Sequence, residues 1–193
     1  MRNLLLISIF AAAAPFCAAN LVSNPGFETG NFTSWTIVDN ASPTSANDFF
    51  IDSSFPHSGS FDAAFGPAGG IVTLSQTFAV IPSTFNRLSF WLFQSDNPDA
   101  THLNSFSVSF DGTTIASLSL NNAAAFTGYQ FFTATVLAPA VQTTGTLTFS
   151  FRNDPGLWSI DDIFFGTPEP GTLGLTAAAL IALGIAAKKR RTF

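Results

Sequence analysis

The sequence predicts an all-β domain built as an antiparallel β-sandwich of jelly-roll type, and three observations support this fold class. Short segments rich in Phe, Val, Ile and Thr alternate with clusters of Gly, Pro, Asn and Asp through the middle of the chain. The 23 Phe residues suit strands, because aromatic rings pack well on a pleated surface. No helical periodicity competes before the C-terminal segment, so we expect two packed sheets rather than a barrel.

Ten segments are candidate strands. The clearest signal covers 103–110, where Phe106, Val108 and Phe110 alternate with serines, as expected when one face of a strand is buried. The dipeptide Asp111-Gly112 follows directly and predicts a tight hairpin into the next strand. The ten predicted strands are 35–39, 49–52, 60–65, 71–80, 88–94, 106–110, 113–120, 129–137, 146–151 and 158–165.

Residues 1–19 have the three parts of a secretory signal peptide. Arg2 precedes an apolar run, and small residues end the segment. We expect cleavage between Ala19 and Asn20, because Cys17 and Ala19 then occupy the two positions that the signal peptidase reads. The sole cysteine leaves with this segment, so the mature chain has no disulfide. A membrane anchor is the alternative interpretation.

A second processing segment, 167–193, follows the predicted β domain at 20–166. Its Pro168-Glu169-Pro170 motif leads into the uncharged run 171–187. Seventeen helical residues span about 25 Å, close to the minimum for crossing the hydrocarbon core of a bilayer. The basic cluster at 188–193 keeps the last residues on the cytoplasmic side, so the β domain is predicted to face outward. That cluster contains Lys188, Lys189, Arg190 and Arg191.

This order of motif, apolar helix and basic tail resembles the sorting tag of the PEP-CTERM family. The resemblance implies that an exosortase, an integral-membrane cysteine protease, recognises Pro168, Glu169 and Pro170 and cuts near them. Two prolines favour an extended segment that a protease can bind as a strand. The family occurs in exopolysaccharide-producing bacteria, which implies transient anchoring in the inner membrane and then residence at the cell surface or in the extracellular matrix. An ordinary tail anchor is the alternative.

The charge of the middle domain excludes one class of partner. Five of the seven Lys and Arg residues lie in the terminal segments, which leaves Arg87 and Arg152 in the domain. Eleven acidic residues stand against these two between Glu28 and Asp162. Such a domain repels nucleic acid and anionic lipid, so no nucleic-acid partner is expected.

The edges of the domain resemble those of carbohydrate-binding-module sandwiches. The resemblance rests on 20–30, which contains Asn-Pro-Gly-Phe-Glu, and on Trp-Ser-Ile-Asp-Asp-Ile at 158–163. In that group the Gly-x-Glu of the first strand and the first Asp of the last strand meet at a structural calcium ion, and the segment 57–60 supplies a backbone oxygen. The resemblance therefore implies a calcium site formed by Gly26, Glu28, Ser60 and Asp161. The alternative is that these carboxylates are simply solvated.

No catalytic residues are predicted, because His57 and His102 fit no triad, zinc or phosphate-loop motif. Sugar binding requires an exposed aromatic platform, for which Tyr129, Trp91 and Trp35 are the candidates. The sequence around Trp91 reads as a strand buried on both faces and Trp35 as a core residue, which leaves Tyr129 as the most exposed of the three.

These patterns predict an exported, non-enzymatic matrix or surface protein that an exosortase processes, with exopolysaccharide binding as a secondary role. A purely structural or adhesive protein is the competing hypothesis, and a glycan-active enzyme is a third.

Overall fold

A computed structural model describes residues 19–40, 48–96, 103–154 and 156–167 of the protein. They lie within one compact unit, Ala19–Pro168. The predicted signal peptide before Ala19, the Pro168-Glu169-Pro170 motif, the apolar run and the basic tail fall outside the described residues. Within those residues, no helix has the length and hydropathy needed to cross a membrane.

The described residues form eleven strands, and these confirm the all-β prediction. Nine of the ten predicted strands coincide with observed strands to within a few residues, which shows how directly the alternating pattern encodes them. The strands are β1 Thr36–Asp39, β2 Phe49–Asp52, β3 Asp62–Phe65, β4 Val72–Ala79, β5 Phe85–Gln94, β6 Asn104–Phe110, β7 Thr113–Thr114, β8 Leu120–Asn121, β9 Gln130–Leu137, β10 Thr144–Asn153 and β11 Trp158–Gly166.

The strands make two antiparallel sheets that pack as a sandwich. The first sheet has the order β1-β4-β10-β6-β7, with β8 also paired to β6. The second sheet has the order β2-β3-β11-β5-β9. The chain passes from one sheet to the other at most connections. The last two strands, β10 and β11, occupy the middle of their sheets.

Phenylalanine dominates the core between the sheets, as the composition predicts. Alternate residues of β10 point inward, and Leu147, Phe149 and Phe151 are fully buried. Phe151 stacks on Phe65 of the second sheet with ring centroids 4.0 Å apart. Each such buried side chain stabilises the fold by about 2 kcal/mol relative to exposure. The indole of the buried Trp158 donates its N–H to a backbone carbonyl 2.9 Å away, so the one polar group of this ring keeps a hydrogen-bond partner.

The hairpin at Asp111-Gly112 is confirmed, but the predicted strand 113–120 is wrong. Both turn residues have positive φ, as a two-residue turn of this kind requires. After β7, a 3₁₀ turn covers Ala116–Leu118 and is followed by the short β8. A strand would place Ile115 and Leu118 on opposite faces, whereas residues three apart in a 3₁₀ turn share one side. Both side chains therefore reach the core.

Candidate functional site

The outer face of the second sheet carries aromatic residues instead of the polar ones that usually face solvent. Leu88, Phe90 and Leu92 of β5 point into the core, so the residues between them point outward. The prediction that this strand is buried on both faces is therefore wrong: Trp91 and Phe93 are only partly buried. Within the part of the chain that the structure describes, the two sheets contain all the strands, and none of them lies over this side of β5.

We call the cluster formed by Phe55, Trp91, Phe93, Tyr129 and Phe131 the aromatic face. Phe55, Phe93 and Tyr129 form one group of contacting rings, in which Phe55 lies 5.3 Å from Phe93 and 5.8 Å from Tyr129 between centroids. Trp91 lies 5.3 Å from Phe131 on the neighbouring strand β9. Phe55 and Phe131 are 53% and 52% exposed, so about half of each ring surface contacts water.

His57 covers one ring of this face. Its imidazole stacks on Trp91 with a centroid distance of 3.9 Å and an angle of 17° between the ring planes. The Nδ1 atom of His57 lies 2.7 Å from a carboxylate oxygen of Asp162, which fixes the plane of the imidazole. The edge of His57 also meets Tyr129. The sequence assigned no role to His57, because nothing local to it shows that Trp91 and Asp162 lie beside it.

A buried carboxylate fixes the position of Tyr129. The phenol donates to Oδ2 of Asp62 at 2.6 Å, and Asp62 is fully buried on β3. Burial raises the pKa of Asp62 above its ordinary value, although the hydrogen bonds from Tyr129 and Ser159 oppose the shift. Burial, together with the neighbouring carboxylate of Asp62, also raises the pKa of Tyr129. Tyr129 is therefore a neutral donor with a fixed ring orientation.

Asp161 joins the segment containing His57 to the sheet. Its Oδ2 accepts the backbone N–H groups of His57 and Ser58, each at 3.0 Å, and its Oδ1 accepts the N–H of Asp162 at 2.7 Å. Burial raises the pKa of Asp161 to about 6, against the effect of the hydrogen bond from Ser58. The carboxylate thus holds the backbone that places His57 on Trp91.

A β-bulge brings two adjacent carboxylates to the same region. Asp161 pairs with Trp91 and Phe164 pairs with Ser89, so two residues of β11 oppose one residue of β5. Asp162 occupies the bulge with φ of 50°. The extra residue lets Ile160 and Ile163, three positions apart, both point into the core. Without the bulge, the period of two would place one of these isoleucines on the outer face.

Glu28, like Asp161, accepts hydrogen bonds from backbone N–H groups of the segment that follows His57. Both of its carboxylate oxygens accept the N–H of Ser60 at 3.0 Å, and Oε1 also accepts the N–H of Phe61. Gly59 lies directly against this carboxylate with φ of 63°. A Cβ at that position would collide with Oε1 of Glu28, so only glycine fits here.

The structure brings the four predicted calcium residues together. A Cβ on Gly26 would lie 3.1 Å from Oδ1 of Asp161 and 3.8 Å from Cγ of Glu28, and Ser60 binds Glu28 through its backbone. Carboxylate oxygens are the ligands that Ca²⁺ prefers, so the side chains of Glu28 and Asp161 are chemically suited to a calcium site. His57, Asp161 and Asp162 also offer ligand atoms within 4.8 Å of one another, but a ring nitrogen is a poor calcium ligand.

The structure separates the three predicted sugar-binding residues. Trp35 is a core residue: it is buried, stacks on Phe27 at 5.8 Å and donates its indole N–H to Asn24. Its candidacy as a ligand platform is therefore wrong. Tyr129 and Trp91 both belong to the aromatic face, where each is partly buried. Sequence reasoning missed Phe55, Phe93 and Phe131, although the last alternates with a core-facing Phe132 on β9.

The convergent carboxylates do not form an accessible pair for catalysis. Asp62 and Asp161 lie on the outer face of adjacent strands, but both are fully buried: Asp161 binds the segment that carries His57, and Asp62 binds the phenol of Tyr129. A general acid or base must come within hydrogen-bonding distance of its substrate. In this arrangement both carboxylates bind protein groups instead, and their role is to support the aromatic face.

Comparisons with known proteins support the fold. The chain is similar to the solved structure of a carbohydrate-binding module, TmCBM61, in complex with β-1,4-galactotriose, with 19% identity, a TM-score of 0.54, and coverage of 78% of this chain and 99% of that one. It is also similar to the CBM22-1 xylan-binding domain of Xyn10C from Paenibacillus barcinonensis, with 10% identity, a TM-score of 0.52, and coverage of 79% and 97%.

A third similar structure belongs to an enzyme. The enzymatically active domain of tailspike protein 4 from bacteriophage CBA120 matches with 18% identity and a TM-score of 0.56, over 76% of this chain but only 21% of that one. No protein-family model and no curated protein matches the sequence. At these identities the likeness establishes a shared β-sandwich fold.

Proposed function

We propose that the protein is an exported, non-catalytic β-sandwich of jelly-roll type that binds carbohydrate on its aromatic face. The observation that carries the proposal is the row of rings from the half-exposed Phe55 to the half-exposed Phe131, in which His57 contacts both Tyr129 and Trp91 and so links the two groups of rings. The C–H faces of a pyranose ring stack on such aromatic surfaces, and contiguous exposed apolar rings typically mark a binding site. The similar carbohydrate-binding modules are in keeping with this role.

Polar groups at the border of the aromatic face supply hydrogen bonds for sugar hydroxyls. The hydroxyl of Ser58 is exposed and donates to Oδ1 of Asp162 at 2.8 Å, and the Asp162 carboxylate is itself partly exposed. These groups keep unused hydrogen-bonding capacity toward a ligand, since a carboxylate accepts about four hydrogen bonds. A stacked sugar at Phe55 or Phe131 would thus meet acceptors at the edge of the same surface.

The charges near this surface favour a neutral glycan over an acidic one. Asp52, Asp62 and Asp161 belong to the same sheet, and no ion pair of these three with Lys or Arg is found among the residues that the structure describes. Of the two basic residues in the described domain, Arg152 forms an ion pair with Asp154, and Arg87 lies over the Phe164 ring. An anionic polysaccharide would meet unpaired negative charge without a cation to neutralise it.

The test is affinity electrophoresis of residues 20–167, which form a unit with their own core. Gels containing neutral galactan, xylan, β-glucan or anionic polygalacturonate should show retardation by at least one neutral polymer. The double variant Phe55→Ala/Phe131→Ala should lose at least tenfold in affinity, because aromatic anchors contribute most of the energy of such contacts. Ile81→Ala removes an exposed side chain elsewhere and is the matched control.

Retardation that survives in the double variant would place any binding on another surface. Absence of retardation by every polymer would favour the structural or adhesive hypothesis instead.

We also propose that the signal peptide 1–19 directs export, and that Pro168-Glu169-Pro170, the apolar run 171–187 and the basic tail direct membrane anchoring and cleavage by an exosortase. The order of motif, apolar run and basic cluster in the sequence supports this part. Its test is the intact mass of the protein from the native host beside a variant in which the three motif residues are alanine. Release of a shortened wild type and membrane retention of the variant are expected; a wild type that retains Lys188 to Phe193 would contradict the proposal.

A structural calcium ion held by Glu28 and Asp161 is the third part of the proposal. Their convergence beside Gly26 supports it. Calcium at one hundred times its dissociation constant should raise the free energy of unfolding by about 2.7 kcal/mol, which denaturant titration measures against EDTA. Glu28→Gln should abolish that gain. An unchanged unfolding midpoint with and without calcium would exclude the ion.

A further inference from the structure

One end of the sandwich, which we call the terminal end, is built from two loops, 80–84 and 138–143. Backbone hydrogen bonds join them, from Ser83 to Pro139 at 3.1 Å and from Ala138 to Thr84 at 2.9 Å. Strand β11 finishes at the same end, because Gly166 pairs with Arg87 near the start of β5. The chain therefore leaves the sandwich beside these loops.

The first described residues lie at the terminal end as well. Leu21 donates its backbone N–H to Phe165 at 2.8 Å, and a Cβ on Gly166 would lie 2.5 Å from the carbonyl oxygen of Ala19. The connection to the signal peptide and the connection to the apolar run 171–187 are thus on the same side of the domain.

Large apolar side chains are exposed at the terminal end, where the chain leaves the sandwich. Ile81, Phe85 and Leu137 are each more than half exposed, and Val141 is 88% exposed. Phe85 and Leu137 are direct cross-strand partners on β5 and β9, so they form one patch rather than isolated residues. A cavity of about 380 Å³ adjoins the patch, since Leu137 and Pro139 are among its lining residues. Adjacent exposed residues of this kind mark a contact surface.

Acidic side chains are concentrated away from the terminal end. Asp62 and Asp161 lie along the middle of the second sheet, and Asp39 pairs with Val72 at the opposite end of the first sheet. Asp111 is nearer: it lines the cavity beside the patch, and its carboxylate accepts the N–H of Thr146. The charge that should repel anionic lipid from the domain as a whole is therefore weakest where the apolar patch lies.

We propose that the terminal end is a lipid-contacting surface while the chain still carries its apolar tail. This inference rests on the membrane anchoring in the proposed function. Only residues 168–170 separate Thr167 from the start of the apolar run at Gly171. Four residue steps reach about 14 Å even when fully extended, so the end of the domain cannot move far from the bilayer surface.

The short connection to the membrane favours lipid over a protein as the partner that contacts the apolar patch. A short tether makes contact with the nearby surface effectively intramolecular, whereas a second anchored copy must be met by diffusion in the membrane and a free protein must be captured from solution. Ile81, Phe85, Leu137 and Val141 then rest on the interfacial region of the bilayer, and cleavage near Pro168-Glu169-Pro170 removes the tether. The contact ends with release, since a few partly exposed side chains alone bind lipid weakly.

The test compares how close two labelled positions of the domain lie to the lipid bilayer. Residues 20–193 contain no cysteine, so Val141→Cys and Val38→Cys each introduce a single site for an environment-sensitive fluorophore. Both side chains are exposed, but Val38 lies on β1 at the opposite end of the domain, one position from Asp39. The labelled chains are reconstituted into phosphatidylcholine vesicles, and flotation with alkaline carbonate washing verifies anchoring.

We expect at least threefold stronger quenching of the Val141 label by spin-labelled lipid, together with a blue shift of its emission that the Val38 label does not show. Equal quenching at the two positions in anchored chains would overturn the lipid contact alone. Chains that fail to float, or that are extracted by carbonate, would overturn both the lipid contact and the anchoring it requires. The glycan-binding assay on residues 20–167 is unaffected by either outcome, so the failures are distinguishable.

Discussion

The outer faces of the two sheets follow the same alternating pattern but carry opposite chemistry. The first sheet presents rows of hydroxyls across β4, β10 and β6, in which Thr77 faces Thr146 with their Oγ1 atoms 2.8 Å apart. The second sheet presents the aromatic face and the carboxylates beneath it. Small hydroxyls are well solvated without a ligand, whereas exposed rings leave apolar surface in water. The comparison supports the proposal that the second sheet is the ligand-binding side.

The largest expected effect is a difference in the free energy of unfolding between two glycine variants. One glycine lies in the loop that supports the aromatic face, and the other lies in the hairpin of the first sheet. Gly59→Ala should lower the free energy of unfolding by about 3 kcal/mol, because positive φ disfavours a Cβ and the added atom collides with Glu28. Gly112→Ala, also at positive φ but with open space around its Cβ, should lose only about 1 kcal/mol. Urea denaturation of both variants measures the difference. Equal losses would show that the contact between Gly59 and Glu28 adds nothing to backbone strain.

The next effect is a dependence of stability on pH. It is expected from the buried carboxylates of the second sheet and not from the neutral hydroxyls of the first. The folded-state pKa of Asp161, about 6, exceeds its ordinary value of 3.8, so the folded protein retains a proton that the unfolded chain has released between those pH values. The stability from this group is therefore full below pH 3.8 and falls by about 3 kcal/mol as pH rises through 6. Unfolding free energies at pH 4 and 7 in EDTA should show this loss, and Asp161→Asn should remove it.

Thr148→Ala on the first sheet is the control for that experiment, and its pH dependence should match the wild type. A wild type and an Asp161→Asn variant with the same pH dependence would contradict the raised pKa. Calcium should reduce the loss at pH 7, because a bound cation favours the ionised carboxylate.

A smaller effect compares a covered ring with the exposed rings of the same face. Trp91→Ala should weaken binding of a neutral glycan by about threefold, less than loss of Phe55 and Phe131, because His57 already covers Trp91. The variant should also lose about 1 kcal/mol of stability with the His57 stack. Isothermal titration calorimetry and urea denaturation separate the two effects. A tenfold or greater loss of affinity would mean that the sugar displaces His57 and stacks on Trp91 directly.

The smallest effect belongs to the hydroxyl rows. Thr77→Ala breaks the hydrogen bond to Thr146 on an exposed surface and should cost at most about 0.5 kcal/mol, with no change in glycan affinity. Denaturation and affinity electrophoresis of this variant provide the baseline for every change on the second sheet. Loss of glycan binding here would place the ligand on the first sheet.

Sequence reasoning predicted the fold better than the site, and the strands show why. The period of two at 103–110 and the Asp-Gly turn are local signals, and both appear in the structure. The aromatic face depends on which strands become neighbours: Trp91 meets Phe131 only because β5 pairs with β9. No local pattern encodes that pairing.

The carboxylates that support the aromatic face left only one local signal in the sequence. Asp162 approaches His57 because of the bulge in β11, for which the local signal is the spacing of Ile160 and Ile163. Two core residues three positions apart in a strand imply one extra residue between them. The predicted convergence of Gly26, Glu28, Ser60 and Asp161 came from a resemblance, since residues this far apart in the chain share no periodicity that could place them together.

The position of β10 and β11 in the middle of their sheets has a consequence for folding. β10 is the strand that bridges β4 and β6, and β11 is the strand that bridges β3 and β5. Until residues 144–166 are available, neither sheet can close, and the inner strands expose unpaired edges. Contacts between residues so far apart make such sandwiches slow to fold. In the export route proposed for this chain, both sheets can therefore be completed only after the last strands have crossed the membrane.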